Sequence, residues 1–163
     1  MCGIFGFVGA AGAIGDSSSV QQAVRALIRL SEPRGREATG LAVALPAEIA
    51  IYRRPMPPTR VLAHPGFQRF LDETLPPGPA ADSAAGLALV GHCRLVTNGT
   101  QAIEANTQPV VHERVVGVHN GIVTNPSEFE HVADRRRPRF RSDHVPRIHD
   151  RAGRARARVA MDR

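Results

Sequence analysis

The chain has 163 residues, 42% of them hydrophobic, and a formal net charge of +6. That length suits one domain with a modest core, no apolar run is long enough to span a bilayer, and the N-terminus lacks the basic segment of a secretory signal. Two cysteines, Cys2 and Cys93, make neither a disulfide framework nor a metal-ligand set, so reduced thiols and a cytoplasmic location are the expectation.

Cys2 follows Met1 and opens the run Gly3-Ile4-Phe5-Gly6-Phe7-Val8-Gly9. Its small side chain permits removal of Met1, which would leave a thiol and a free α-amine on one residue. A nucleophile that carries its own base needs no histidine partner. The alternative is a small apolar residue entering a strand.

Residues 3–9 are predicted to form a buried strand that ends in the turn-prone Gly9-Ala10-Ala11-Gly12. Asp16 or Ser17 caps a predicted helix over about 18–31, with Val20, Ala23, Val24, Leu27 and Ile28 on one face. Strands are expected at 40–45 and 48–52, after which Pro55, Pro57 and Pro58 impose a loop. A short helix over 66–75 is followed by a Pro-, Ala- and Ser-rich loop through about residue 85. Strands at 87–93 and 115–119, and a last helix after Asn125-Pro126, complete the pattern. Strands outnumber helices and the first helix lies between strands, so a layered α/β or α+β domain follows.

The charge is unevenly placed. Residues 1–133 hold 10 Arg against 11 Asp and Glu, a balance of −1, whereas residues 134–163 hold 11 Arg against 4 Asp, a balance of +7. The basic character therefore belongs to the last thirty residues. Apolar periodicity stops beyond Arg135, and Arg151-Ala152-Gly153-Arg154-Ala155-Arg156-Ala157-Arg158 has no face that could pack. The expected organisation is a domain over 1–133 and an Arg-rich, disordered tail over 134–163. Such a tail binds nucleic acid non-specifically at most. Phe140 is its only aromatic residue, so base stacking has no support and a nucleic-acid partner is disfavoured.

Four separated segments carry the chemistry. They are Cys2-Gly3-Ile4-Phe5-Gly6, Pro33-Arg34-Gly35-Arg36-Glu37-Ala38-Thr39-Gly40, Gly91-His92-Cys93-Arg94-Leu95-Val96-Thr97-Asn98-Gly99 and Val118-His119-Asn120-Gly121-Ile122-Val123-Thr124-Asn125. In this order, with Cys at position 2, they resemble the class II glutamine amidotransferase domain, an N-terminal-nucleophile glutaminase. The likeness is greatest to the glutaminase half of the glucosamine-6-phosphate synthases, and the amidophosphoribosyltransferases come next. It runs from residue 2 to about 130.

The resemblance implies an α+β fold, the four-layer αββα sandwich of N-terminal-nucleophile hydrolases, with Cys2 at the start of a strand near a sheet edge. It implies that Cys2 attacks the side-chain amide of L-glutamine while its own α-amine carries the proton. Asn120, through its carboxamide, and Gly121, through its backbone N–H, would form the oxyanion hole; taken alone, Asn120-Gly121 also fits a type I′ hairpin turn. Arg94 would bind the substrate α-carboxylate, because a guanidinium offers two parallel hydrogen bonds. Thr97 matches a further substrate-contacting position. Arg34 and Gly35 match the Arg-Gly that orders the nucleophile's surroundings, although a helix-end charge and turn glycine would look the same. Asp143, in Ser142-Asp143, stands where the family supplies a carboxylate for the α-ammonium. His92, with a local hydrogen bond, His119 and the strand residue Cys93 are read as structural. No cofactor and no metal are required.

The chain also departs from the family. Leu95 replaces a tryptophan, and the synthases' Asn-Ala-His-Pro becomes Asn106-Thr107-Gln108-Pro109, with Gln-Pro as in the amidophosphoribosyltransferases. After Arg141-Ser142-Asp143, the sequence His144-Val145-Pro146-Arg147 breaks the expected continuation, which suggests a truncation or shifted reading frame near 134–144 and an incomplete C-terminal part. The function implied is glutamine hydrolysis through a γ-glutamyl thioester, with ammonia passed to an acceptor, an amino sugar among the candidates, by a partner subunit or a lost C-terminal domain. The alternative is an inactive truncated remnant or a glutamine-binding regulatory module.

Overall fold

The computed structural model describes residues 2–10, 16–45, 48–75, 86–95, 107–112, 115–121 and 147–150. The elements are β1 (Gly3–Gly9), α1 (Ser17–Ser31), a 3-10 turn (Glu32–Arg34), β2 (Ala38–Ala44), β3 (Glu48–Arg54), α2 (Pro58–Leu62), α3 (Pro65–Thr74), β4 (Leu87–Arg94), β5 (Val110–His112), β6 (Val115–Gly117) and β7 (Arg147–Asp150). Strands β1, β4, β2, β3 and β7 form one sheet in that order, and β5 and β6 form an antiparallel pair. The sheet is antiparallel except where β7 runs parallel to β3. The mixture of helices with a mainly antiparallel sheet makes the architecture α+β.

Alternation along the strands builds two faces. Through the register, Phe5, Leu41, Leu89 and Tyr52 point to the same side of the sheet. On that side α1 contributes Val20, Val24 and Ile28, α2 contributes Val61, and α3 contributes Phe67, Phe70 and Leu71 to one apolar core. Tyr52 meets Phe67 edge-on with ring centroids 5.2 Å apart, a favoured aromatic geometry. Asp16 caps α1 by accepting from the Ser18 N–H at 3.1 Å, so of the two capping residues the sequence offered, Asp16 rather than Ser17 is used.

Four local outcomes differ from the sequence reading. Ala23 lies on the exposed side of α1, while Gln21 is buried and donates from Nε2 to the Leu75 carbonyl at 2.8 Å. A buried amide is tolerated because a carbonyl satisfies it. Pro58 does not simply continue a loop; it starts α2, where a missing N–H costs nothing in the first turn. Strand β5 precedes the strand expected at 115–119, which ends at Gly117. Beyond Arg135 the sequence pattern contains no strand signal, yet β7 pairs with β3 from Glu48 opposite Arg147 to Ile51 opposite Asp150. The loop expected through residue 85 and the helix expected after Asn125-Pro126 lie outside the described residues.

The second face of the sheet carries Gly40, Ala42, Ile51 and His92, all buried. The segment Thr107–Pro109 lies against it. A Cβ on Gly40 would sit 1.8 Å from the Gln108 carbonyl oxygen, so only glycine lets that main chain come so close. Arg53 Nη1 donates to the Pro109 carbonyl at 3.4 Å, and Thr107 and Pro109 are buried. The Gln108–Pro109 peptide is cis. Helices thus cover one side of the sheet, and the other side anchors the segment that leads to the candidate site.

Candidate active site

Antiparallel pairing of β1 with β4 sets Gly3 opposite Cys93. Cys2 therefore lies just before the edge strand, beside Arg94 and Leu95 at the far end of β4. The half-buried Cys2 thiol accepts from the Leu95 N–H at 3.4 Å and donates to the Leu95 carbonyl at 3.6 Å. Leu95 thus holds the sulfur through its main chain, which explains why its side-chain type does not govern this contact.

Asn120 comes to the same point from beyond β6. Its Nδ2 donates to the Cys2 carbonyl at 3.0 Å, and its Oδ1 accepts from the Cys2 N–H at 3.2 Å. Asn120 and Gly121 are both exposed, as a group that meets an incoming molecule must be.

Arg94 is half-buried at the last position of β4 and pairs in register with Ala38, while its carbonyl accepts from the Glu37 N–H at 3.1 Å. Gly35 packs on this strand end. A Cβ there would lie 2.2 Å from the Cys93 carbonyl oxygen, so the absence of a side chain at Gly35 permits the contact. Arg34 is exposed at the end of the 3-10 turn, beside the start of β1: a Cβ on Gly3 would stand 3.3 Å from the Arg34 Cβ.

Two further ionisable groups lie behind the site. Cys93 is fully buried; burial, with the Glu32 charge, pushes its thiol up from 9.0 to about 12. It is a core residue and stays protonated. His92 is fully buried on the other side of β4, and among the described residues neither ring nitrogen has a hydrogen-bond partner. Burial and then the Arg94 charge lower its pKa from 6.5 to about 4, while the nearby His119 main chain acts in the opposite direction.

The described structure therefore brings Cys2, Arg94, Asn120, Gly121 and Gly35 to one end of β4, with Arg34 at the flank. Thr97 and Asp143 lie outside the described residues, as does Met1. The sequence reading named two participants only as departures. Leu95 binds the thiol through its backbone, and Gln108 bonds twice to the main chain of His119, the residue before Asn120. A Gln-Pro pair just ahead of a strand pair was the available signal for Gln108. Among the described residues no group of three or more His, Cys, Asp or Glu could hold a metal ion, and no helix is long and apolar enough to cross a membrane.

No protein-family model matches the chain. Individual curated proteins do. The glutamine–fructose-6-phosphate aminotransferase [isomerizing] of Corynebacterium glutamicum is 32% identical over 144 residues, covering 88% of this chain and 21% of that protein. The proteins of the same name from Corynebacterium efficiens and Bartonella quintana are each 32% identical over 130 residues, covering 79% and 80% of this chain and 19% and 18% of theirs. The chain spans about a fifth of the length of these relatives, as the 21% coverage gives. With this kinship extending over most of its length, the chain belongs to the glutamine amidotransferase family, as a counterpart of the glutaminase part of the glutamine–fructose-6-phosphate aminotransferases.

Proposed function

We propose that the chain hydrolyses the side-chain amide of L-glutamine, with Cys2 as nucleophile once Met1 is removed. The observation that carries this reading is the pairing of Cys2 with Asn120 at the end of β4, beside Arg94. The Cys2 Sγ attacks the amide carbon, an S–C bond forms, and the thiol proton passes to the α-amine. The amine then delivers that proton to the departing nitrogen, the C–N bond breaks, and ammonia leaves a γ-glutamyl thioester. Water attacks the thioester carbon, releasing glutamate and restoring the thiol.

Negative charge develops on the carbonyl oxygen in both steps. A carboxamide carries two N–H donors. One on Asn120 binds the Cys2 carbonyl, and among the described residues the second is available to the oxyanion together with the Gly121 N–H. These donors are fixed before the charge appears, which is the source of their effect. Once Met1 is gone, the Asn120 Oδ1 contact falls on the α-amine and orients it. Arg94 binds the α-carboxylate as a bidentate cation, Thr97 adds a contact, Asp143 receives the α-ammonium, and Arg34-Gly35 shape the wall beside Cys2.

The complete domain, on this reading, is a four-layer αββα sandwich, of which the helix-covered sheet is one half. The name of the relatives, glutamine–fructose-6-phosphate aminotransferase, supports a sugar phosphate as the acceptor of the ammonia, used by a further domain or a partner. A glutamine-analogue electrophile should add once, at Cys2, and Cys2→Ala should abolish both labelling and ammonia release. Folded protein that neither labels nor releases ammonia would reject hydrolysis; glutamine binding without ammonia release would instead assign a binding module.

A further inference from the structure

We propose that Gln108 is a positioning residue for Asn120, acting through the peptide of His119; this rests on the reading of Asn120 as an oxyanion donor. Gln108 Nε2 donates to the His119 carbonyl at 2.9 Å, and the His119 N–H donates to Gln108 Oε1 at 2.5 Å. One carboxamide therefore grips both polar groups of one residue, as a neighbouring strand would. His119 is joined directly to Asn120, so the grip limits where the Asn120 side chain can reach.

The grip is worth having only if Gln108 is itself held, and it is. Its main chain presses on the sheet at Gly40, flanked by the buried Thr107 and Pro109, and Arg53 bonds to the Pro109 carbonyl. A continuous set of contacts runs from the central strand β2 through Gln108 and His119 to Asn120 and Cys2. The described part of this route contains just one strand pair, β5 with β6, between Gln108 and His119. Without the Gln108 bonds the peptide before Asn120 would be placed only by that short pair and by the two Asn120–Cys2 bonds.

Glutamine suits the task for a chemical reason. A carboxamide offers a donor and an acceptor side by side. Asparagine has the same group but is shorter by one C–C bond of about 1.5 Å, and a carboxylate can accept but not donate. Methionine keeps the length and lacks both functions.

The test uses the full chain, with Gln108→Met and Gln108→Glu as variants, and normalises ammonia release to the number of Cys2 sites labelled by a glutamine-analogue electrophile. The expected result is a kcat lower by roughly 10–100-fold, the scale of a small misplacement of a reacting group, with KM for glutamine unchanged because Arg94 is untouched. Hydrogen exchange at the His119 amide should become faster in Gln108→Met, which lacks the acceptor for that N–H, whereas Gln108→Glu keeps an acceptor and loses the donor to the His119 carbonyl. A merely structural role would lower the count of labelled sites and leave kcat per site intact, which would overturn the proposal. Unchanged protection at His119 in Gln108→Met would overturn it too. If the parent chain releases no ammonia, the hydrolysis reading fails by itself, and His119 exchange still decides whether Gln108 holds this peptide.

Discussion

The Asn120 side chain and the Cys2 main chain hold each other at two points across 118 residues of sequence: Asn120 Nδ2 to the Cys2 carbonyl at 3.0 Å, and the Cys2 N–H to Asn120 Oδ1 at 3.2 Å. The relationship sets a carboxamide beside the only exposed-side thiol among the described residues, since Cys93 is buried. It also ties the segment after β6 to the edge of the main sheet.

Removal of that carboxamide should be felt mainly in the chemical step. Asn120→Ala is expected to lower kcat by ~10²–10³, as loss of one oxyanion donor does, with a smaller change in KM. Steady-state ammonia release measures it. An unchanged kcat would show that the oxyanion is stabilised elsewhere.

Gly35 tests the packing of the wall beside Cys2. Gly35→Ala would bring a methyl group to 2.2 Å from the Cys93 carbonyl, which neither backbone can accept without moving. A cost of about 1–3 kcal/mol is expected, typical of forcing extra atoms into a filled space. Urea unfolding of the variant measures it, and activity should fall with the displacement of Arg94.

The two thiols should differ in reactivity. A thiol-directed alkylating reagent is expected to modify Cys2 readily and Cys93 only after unfolding, because burial keeps Cys93 protonated. Its raised pKa also stabilises the fold below the ordinary thiol range, and that contribution is lost as pH rises from 9.0 toward about 12. Peptide mapping after timed labelling distinguishes the sites; equal rates would contradict the burial of Cys93.

His92 should make the fold acid-sensitive. Its folded-state pKa is about 4 against 6.5 for the free group, so below 6.5 the unfolded chain binds a proton that the folded chain refuses. Stability should therefore fall as pH drops from 6.5 to about 4, by up to roughly 3 kcal/mol, and level off below that as far as His92 is concerned. Denaturant unfolding of the parent and of His92→Gln across this range isolates the effect. Equal pH dependence in the two would assign the acid sensitivity to other groups.

Much of the framework was legible in the linear chain. Helical spacing located α1, and apolar runs bounded by turn-prone residues located β1 and β4, because each must bury a face and local composition records that need. The motif residues around Cys2, Arg94 and Asn120 stood out because their chemistry demands particular side chains. Short elements were harder: α2 begins at a proline that also fits a loop, and β5 and β7 have three and four residues, too few to show a period.

The sequence by itself determined which groups could carry the chemistry, since the thiol at position 2, the guanidinium and the carboxamide are written in residue types. Only the tertiary structure decided which of them meet. Strand order puts β4 between β1 and β2, register sets Gly3 against Cys93, and the close approach at Gly40 seats Gln108 where it can grip His119. Contacts between residues so far apart along the chain depend on how whole elements pack. No local periodicity encodes that, because the free energy that selects the packing belongs to the assembled core rather than to any one segment.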